Sequence, residues 1–253
     1  MQNGVVKTDP FPVPATAAEA IAEQDRLRPL ARPEGPAPEP LRWIAGLDVA
    51  YAVDESRVAG AVTVLDAATL EVVETATALR SVDFPYVPGL LAFREIPALL
   101  DALAGLTHVP DILVCDGYGL AHPRRFGLAC HLGVLTDVPT FGVAKTAFIG
   151  TFQEPGKARG DQADLVDGGV GDGDAAGPGS RSGTTDCDRE VIGRVLRTQT
   201  DTKPVFVSVG HRIGLAEATE LTLRLAPRFR LPETTRQADQ ASRRALAAGN
   251  AAS

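Results

Sequence analysis

Three acids stand in apolar surroundings at widely separated points of the chain. Asp48 interrupts LRWIAGLDVAY between Leu47 and Val49, where burying an ionised carboxylate is expensive unless a positive charge compensates it. Glu95 has Leu91 and Leu99 as its i−4 and i+4 neighbours, so on a helix it projects from or near the core-facing side. Asp116 closes the apolar run PDILVCD, and the carboxyl end of a strand is where open α/β sheets place their ligands. Brought together without cations, three like charges raise one another's pKa. One or two Mg²⁺ ions, with Mn²⁺ as a substitute, would hold them ionised and organise a phosphodiester for hydrolysis. Taken singly, each acid reads equally well as a surface or turn carboxylate; Asp116 before Gly117 could simply open a turn. Their conjunction with two unusual loops favours a metal site.

In the first loop, VDFPYVPG, Pro85 and Pro88 bracket Tyr86 and Val87, fixing the backbone and removing two donors. A stiff aromatic wedge suits insertion between stacked bases, at a cost that is lowest beside a damaged or mismatched base. The second loop, DGYGLAHPRRFG, offers Gly117 and Gly119 for close backbone approach, His122 as a neutral donor or ligand, and Arg124 and Arg125 for bidentate phosphate binding. Lys145 follows the apolar stretch FGVA and is a candidate to neutralise the scissile phosphate or a leaving oxyanion. His211, in SVGHR, is a further polar candidate, although a lone histidine is more often structural.

The elements that must position these groups follow from hydrophobic periodicity. After a helical stretch, ATAAEAIAEQDRLRPLA, and the proline-rich spacer RPEGPAPEP, residues 41–51 and 57–79 read as three successive strands, the last two joined by a turn at Asp66 to Thr69. PGLLAFREIPALLDALAGL has helical spacing, with Pro97 placed where a helix should start or kink. PDILVCD is a buried strand, FGLACHLGVLTD a helix and PTFGVA a strand; VIGRVLRTQ and KPVFVSVGH form a strand pair, and GLAEATELTLRLA is the final helix. Strands first and alternation afterwards predict an α/β fold with a mixed β-sheet flanked by helices. The expected organisation is an N-terminal extension over residues 1–40, a catalytic domain over 41–240 with a flexible glycine-rich loop at 154–188, and a C-terminal tail at 241–253.

The chain has 253 residues, 44% hydrophobic and 23% charged, enough for a real core and too apolar for general disorder. The N-terminus carries no signal-peptide pattern, and no apolar run is long enough to span a membrane. Cys115, Cys130 and Cys187 form no CxxC pair, so neither a disulfide framework nor a thiolate zinc site is expected. A monomeric, soluble, cytoplasmic protein is predicted. The net charge of −7 conceals an asymmetry: residues 41–150 hold 7 Lys and Arg against 12 Asp and Glu, whereas residues 191–253 hold 10 against 5. Arginines holding phosphates beside carboxylates holding a metal would give that pattern, as would an ordinary solvated helical surface.

IAGLDVAY (44–51), PYVPGLLAFREIPALL (85–100), DILVCDGYGLAHPRRFGLACHLGVLTDVPTFGVAK (111–145), VSVGHRI (207–213) and FRLPETTRQAD (229–239) resemble the endonuclease V family over most of residues 41–240. The resemblance implies a ribonuclease H-like fold and Mg²⁺-dependent hydrolysis of inosine-containing DNA, with RNA as an alternative substrate. The expected cut is at the second phosphodiester 3′ to the lesion, leaving 3′-hydroxyl and 5′-phosphate ends. It also implies that Asp48, Glu95 and Asp116 are the catalytic, metal-holding carboxylates, Tyr86 the wedge, and Lys145 and His211 accessory catalytic residues. Tyr118 stands where many bacterial members have histidine, and Thr146 where a second lysine is frequent. A general structure-specific nuclease and a non-catalytic nucleic-acid binding module are the competing readings.

Overall fold

The computed structural model describes residues 11–168 and 189–251. Trp43–Tyr51 (β1), Arg57–Asp66 (β2) and Val72–Ser81 (β3) are the three early strands, paired as antiparallel neighbours. Ile112–Asp116 (β4) runs parallel to β1, and Thr140–Ala144 (β5) parallel to β4. Gln162–Gly168 (β6), Arg189–Leu196 (β7) and Val205–His211 (β8) complete an eight-stranded sheet of order β3-β2-β1-β4-β5-β8-β7-β6. Because parallel neighbours need a crossover, helices Ala92–Ala104 (α2) and Leu128–Thr136 (α3) connect β3 to β4 and β4 to β5.

Side-chain alternation sends one set of residues to each face of the sheet. Ala45, Leu47, Val62, Val64, Leu113 and Cys115 pack against Ile96, Leu99, Leu103 and Leu132 of α2 and α3. Ile44, Ile112, Val114, Phe141 and Val143 pack on the other face against Ala218, Leu221 and Leu225 of Leu215–Leu225 (α4). Glu233–Ala251 (α5) lies on that second face, so close that a Cβ at Gly46 would come 2.1 Å from the Thr234 carbonyl. Asp48 and Asp116 have the parity of Ile44 and Ile112 and share this second face.

Several elements depart from the sequence reading. Pro97 does not start α2, which runs through it from Ala92 to Ala104. The glycine-rich stretch predicts a loop over 154–188, yet Gln162–Gly168 is strand β6, an edge strand whose one fully buried residue, Leu165, gives almost no hydrophobic pattern. Residues 169–188 of that stretch, with Cys187, lie outside the described residues. A tail is predicted for 241–253, but α5 continues to Ala251. Its buried face consists of Thr234, Thr235, Ala238, Ala241 and Ser242, small residues that allow close approach to the sheet without an apolar stripe. The predicted N-terminal helix is present as Ala17–Leu27 (α1), with Thr16 Oγ1 accepting from the Glu19 N–H at its start.

Candidate active site

The parallel pairing of β1 with β4 sets Leu47 opposite Cys115, so Asp48 and Asp116 follow at adjacent strand ends on one face. Asp116 in turn pairs with Val143 of β5, and Lys145, two residues on, points the same way. Lys145 Nζ accordingly donates to Asp116 Oδ2 at 2.5 Å. Glu95 lies in the first turn of α2 and enters from the opposite side of the sheet's end; Tyr51 Oη donates to its Oε1 at 3.4 Å. All four side chains line one cavity of about 480 Å³, with Tyr86, Pro88, Gly89, Gly117, Tyr118, His122, Gly127, Leu128 and Phe148 around it.

The electrostatics are those of crowded acids taken out of water. Burial, then the charge of Asp116, pushes the Asp48 pKa up to about 8. Burial, then Asp48 and Asp116, pushes Glu95 up to about 8 as well. Burial disfavours the charge on Lys145, but its hydrogen bond to Asp116 and the charges of Asp116 and Asp48 outweigh that and hold its pKa above the ordinary lysine value. Asp48 Oδ1 accepts from the Val49 N–H at 2.8 Å, whereas its Oδ2 is buried with no hydrogen-bond partner. Among the described residues no three His, Cys, Asp or Glu side chains stand arranged to hold a metal ion; Asp116 is paired with Lys145 instead. A lone buried oxygen, two acids driven toward protonation and a third held by an ammonium fit a divalent cation that would replace proton and lysine as counter-charge.

The other predicted residues divide. Tyr86 is 64% exposed at the cavity rim, with the Arg94 guanidinium 5.9 Å from its ring centre and 5.0 Å from that of Tyr51. Its loop neighbours Pro85 and Val87 do not line the cavity, though Pro88 does. Gly117 lines it, while Gly119 is pressed against β8 and donates its N–H to Ser208 Oγ at 2.8 Å. Burial, then the charge of Arg124, holds the His122 imidazole neutral, with a pKa near 4. The two arginines are not free to grip a phosphate: Arg124 donates to the Gly89 carbonyl and Gln24, and Arg125 pairs with Asp167 and Glu190. Their local sequence carries no sign of these long-range partners.

His211 is at the wrong end of the sheet. Strand β8 is antiparallel to β5 and pairs His211 with Thr140, the first residue of β5, whereas Lys145 follows its last. The His211 ring lies beside Asp137 and accepts at Nδ1 from the Arg32 N–H. The sequence reading also passes over residues that do face the site: Gln24, Tyr51, Leu128 and Phe148 line the cavity. Asp239 of α5 lies near enough for its charge to raise the pKa of both Asp48 and Lys145. A polar helix of small residues gave no reason to set that half-exposed acid, which also pairs with Arg243, beside the site, although it ends the FRLPETTRQAD block.

A mixed sheet with helices on both faces and acids gathered at its parallel strand ends defines a nuclease of the ribonuclease H-like class. The chain belongs to the endonuclease V family, whose model matches residues 26–240. It is 52% identical over 243 residues to endonuclease V of Nocardia farcinica, covering 96% of this chain and 98% of that one. The crystal structure of endonuclease V from Streptomyces avermitilis superposes with a TM-score of 0.83 at 50% identity, covering 98% and 100% of the two chains. Ciona intestinalis endonuclease V, in complex with a 24mer DNA containing an inosine followed by a ribo-adenosine, superposes at 0.72 with 26% identity, covering 90% and 97%.

Proposed function

We propose that this endonuclease repairs deaminated adenine: it takes inosine-containing DNA as substrate and hydrolyses the second phosphodiester 3′ to the lesion, leaving 3′-hydroxyl and 5′-phosphate ends. The observation that carries the reading is the convergence of Asp48, Glu95, Asp116 and Lys145 on one cavity whose rim bears an exposed tyrosine on a proline-bracketed loop. Asp48, Glu95 and Asp116 are the residues to hold Mg²⁺, or Mn²⁺ in its place. When bound, the ion supplies an activated water and stabilises charge on the phosphoryl oxygens.

The chain's own groups do the rest. Lys145 places an ammonium at the cavity edge, where it faces phosphate charge. Tyr86 is held by Pro85 and Pro88 and by the cation of Arg94, so it fills the gap left by an unstacked base without ordering cost at the moment of binding. Gly89, Gly117 and Gly127 expose backbone to the cavity. Hypoxanthine presents an acceptor at O6 and a donor at N1 where adenine presents the reverse, so backbone groups satisfied by inosine are left unpaired by adenine. His122, kept neutral, leaves the cavity uncharged on that side. Two buried free cysteines, Cys115 and Cys130, agree with action in the reducing cytoplasm.

The test is incubation of end-labelled duplexes bearing one deoxyinosine, one inosine in RNA, or a plain mismatch, each with Mg²⁺ or EDTA, with cut sites mapped to the nucleotide. Cleavage of the deoxyinosine duplex in Mg²⁺ alone, one nucleotide beyond the adjacent linkage, is expected. Preference for the RNA would make the chain an inosine-directed ribonuclease, and equal cleavage of the mismatch a structure-specific one.

A further inference from the structure

Helix α1 lies before the first strand, yet it reaches the site. Its buried residues are Ala20, Gln24 and Leu27, one stripe at helical spacing with an amide in the middle. Gln24 is 1% exposed. Among the described residues before Asp48 it is the one that lines the cavity. A buried amide is costly unless all its groups are paired, and here they are. Nε2 donates to the carbonyls of Gly89 at 3.1 Å and Phe126 at 3.2 Å, and Oε1 accepts from Arg124 Nε at 2.5 Å.

Those partners tie three segments together. Gly89 ends the loop that carries Tyr86, Phe126 leads into α3, and Arg124 belongs to the glycine-rich loop after β4. The Gly89 carbonyl also receives Arg124 Nη2 at 2.6 Å and His122 Nε2 at 3.0 Å. Since His122 Nδ1 accepts from the Arg124 N–H, the proton is on Nε2 and the ring is a donor to Gly89. Gly89 has φ +79°, a backbone conformation that favours glycine, and a Cβ there would also press the Arg124 guanidinium out of place. An aliphatic side chain at residue 24 would fill the stripe as well as glutamine does. What only glutamine supplies is two donors and an acceptor with fixed directions, which leave one orientation for the loop end.

We propose that Gln24 is a positioning residue for lesion recognition: from the N-terminal helix it fixes the Gly89 end of the Tyr86 loop against the entry to α3. This rests on the reading of Tyr86 as the wedge. Gln24 acts through Gly89 and touches none of the carboxylates, so its loss should weaken capture of the altered base and spare the chemical step.

The experiment compares the parent with Gln24→Met, which keeps length and volume without hydrogen bonds, and Gln24→Glu, which keeps the Arg124 partner but turns a carboxylate on two carbonyls. Leu27→Ala loosens the same helix without touching Gly89. Each is measured for binding to a deoxyinosine duplex and to the matching adenine duplex in EDTA, for single-turnover cleavage at saturating protein with Mg²⁺, and for its thermal midpoint. Both Gln24 variants are expected to bind the inosine duplex about tenfold more weakly, to bind the adenine duplex within twofold of the parent, and to cleave at saturation within about threefold. Leu27→Ala should lower the midpoint and leave the inosine-to-adenine ratio unchanged. An unchanged ratio in Gln24→Met, or the same loss of ratio in Leu27→Ala, overturns the proposal. A parent that binds both duplexes alike overturns instead the reading of the site on which it stands.

Discussion

At the scale of single residues, the site is organised by charge that the protein alone does not balance. Lys145 satisfies Asp116, while Asp48 keeps a buried oxygen without a partner and shares its repulsion with Glu95. Asp116→Ala removes one acid and also the lysine's anchor. Its Mg²⁺-dependent cleavage of an inosine duplex should fall by about a thousandfold in single-turnover assays, with duplex binding largely retained because the exposed cations and the Tyr86 loop are untouched. Retained cleavage would favour a non-catalytic role for these acids. Asp48 and Asp116 stood out because each falls in or closes an apolar run, Glu95 because Leu91 and Leu99 lie four residues to either side, and Tyr86 because two prolines bracket its loop. Arg124, Arg125 and His211 misled, since whether an arginine or histidine is free or already paired depends on residues dozens of positions away.

At the scale of elements, helix α3 carries a buried histidine that the site does not use. The His131 ring is fully enclosed, with the rings of Phe11, Phe93 and Phe126 centred 5.1–5.2 Å away and both nitrogens without hydrogen bonds. Burial pushes its pKa down to about 3. A folded pKa below the unfolded value of about 6.5 means that the unfolded chain takes up the proton first. The stability this histidine permits is present above about pH 6.5 and is lost as pH falls toward 3, by about 2 kcal/mol between pH 7 and 5. Asp48 and Glu95, with raised values, act in the opposite sense over that range, so the readout is a difference. Urea unfolding of His131→Leu should show less destabilisation than the parent on going from pH 7 to 5; parallel pH profiles would refute it. Close packing sets a second expectation. Gly46→Ala drives a methyl into the Thr234 carbonyl of α5 and should cost about 1–3 kcal/mol in urea unfolding, because the helix must move off β1. A variant as stable as the parent would show that α5 yields freely.

At the scale of the whole molecule, the N-terminal segment and α5 close over a core that the sheet alone leaves open. Phe11 stacks on Phe93, Ala20 packs with Phe84 and Phe93, and Leu27 packs with Phe126 and Cys130. Deleting residues 1–31 should therefore cost more than about 3 kcal/mol and uncover those rings, seen as a lower urea midpoint and as binding of an apolar dye. Full stability of the truncated chain would make the segment an appendage. Among the described residues no helix is long and apolar enough to cross a membrane. From sequence alone, alternation and helical spacing determined the central strands, α2, α3 and α4, and the acids that interrupt them, because burial of large apolar side chains writes a period into the chain. Tertiary structure alone decided the rest: α5 and β6 are held by small or half-exposed residues that write no period, Asp239 and Gln24 reach the site only through packing, and His211 is carried to the far end because β8 runs against β5. Strand direction and helix docking are set by contacts between distant segments, and a local pattern does not record them.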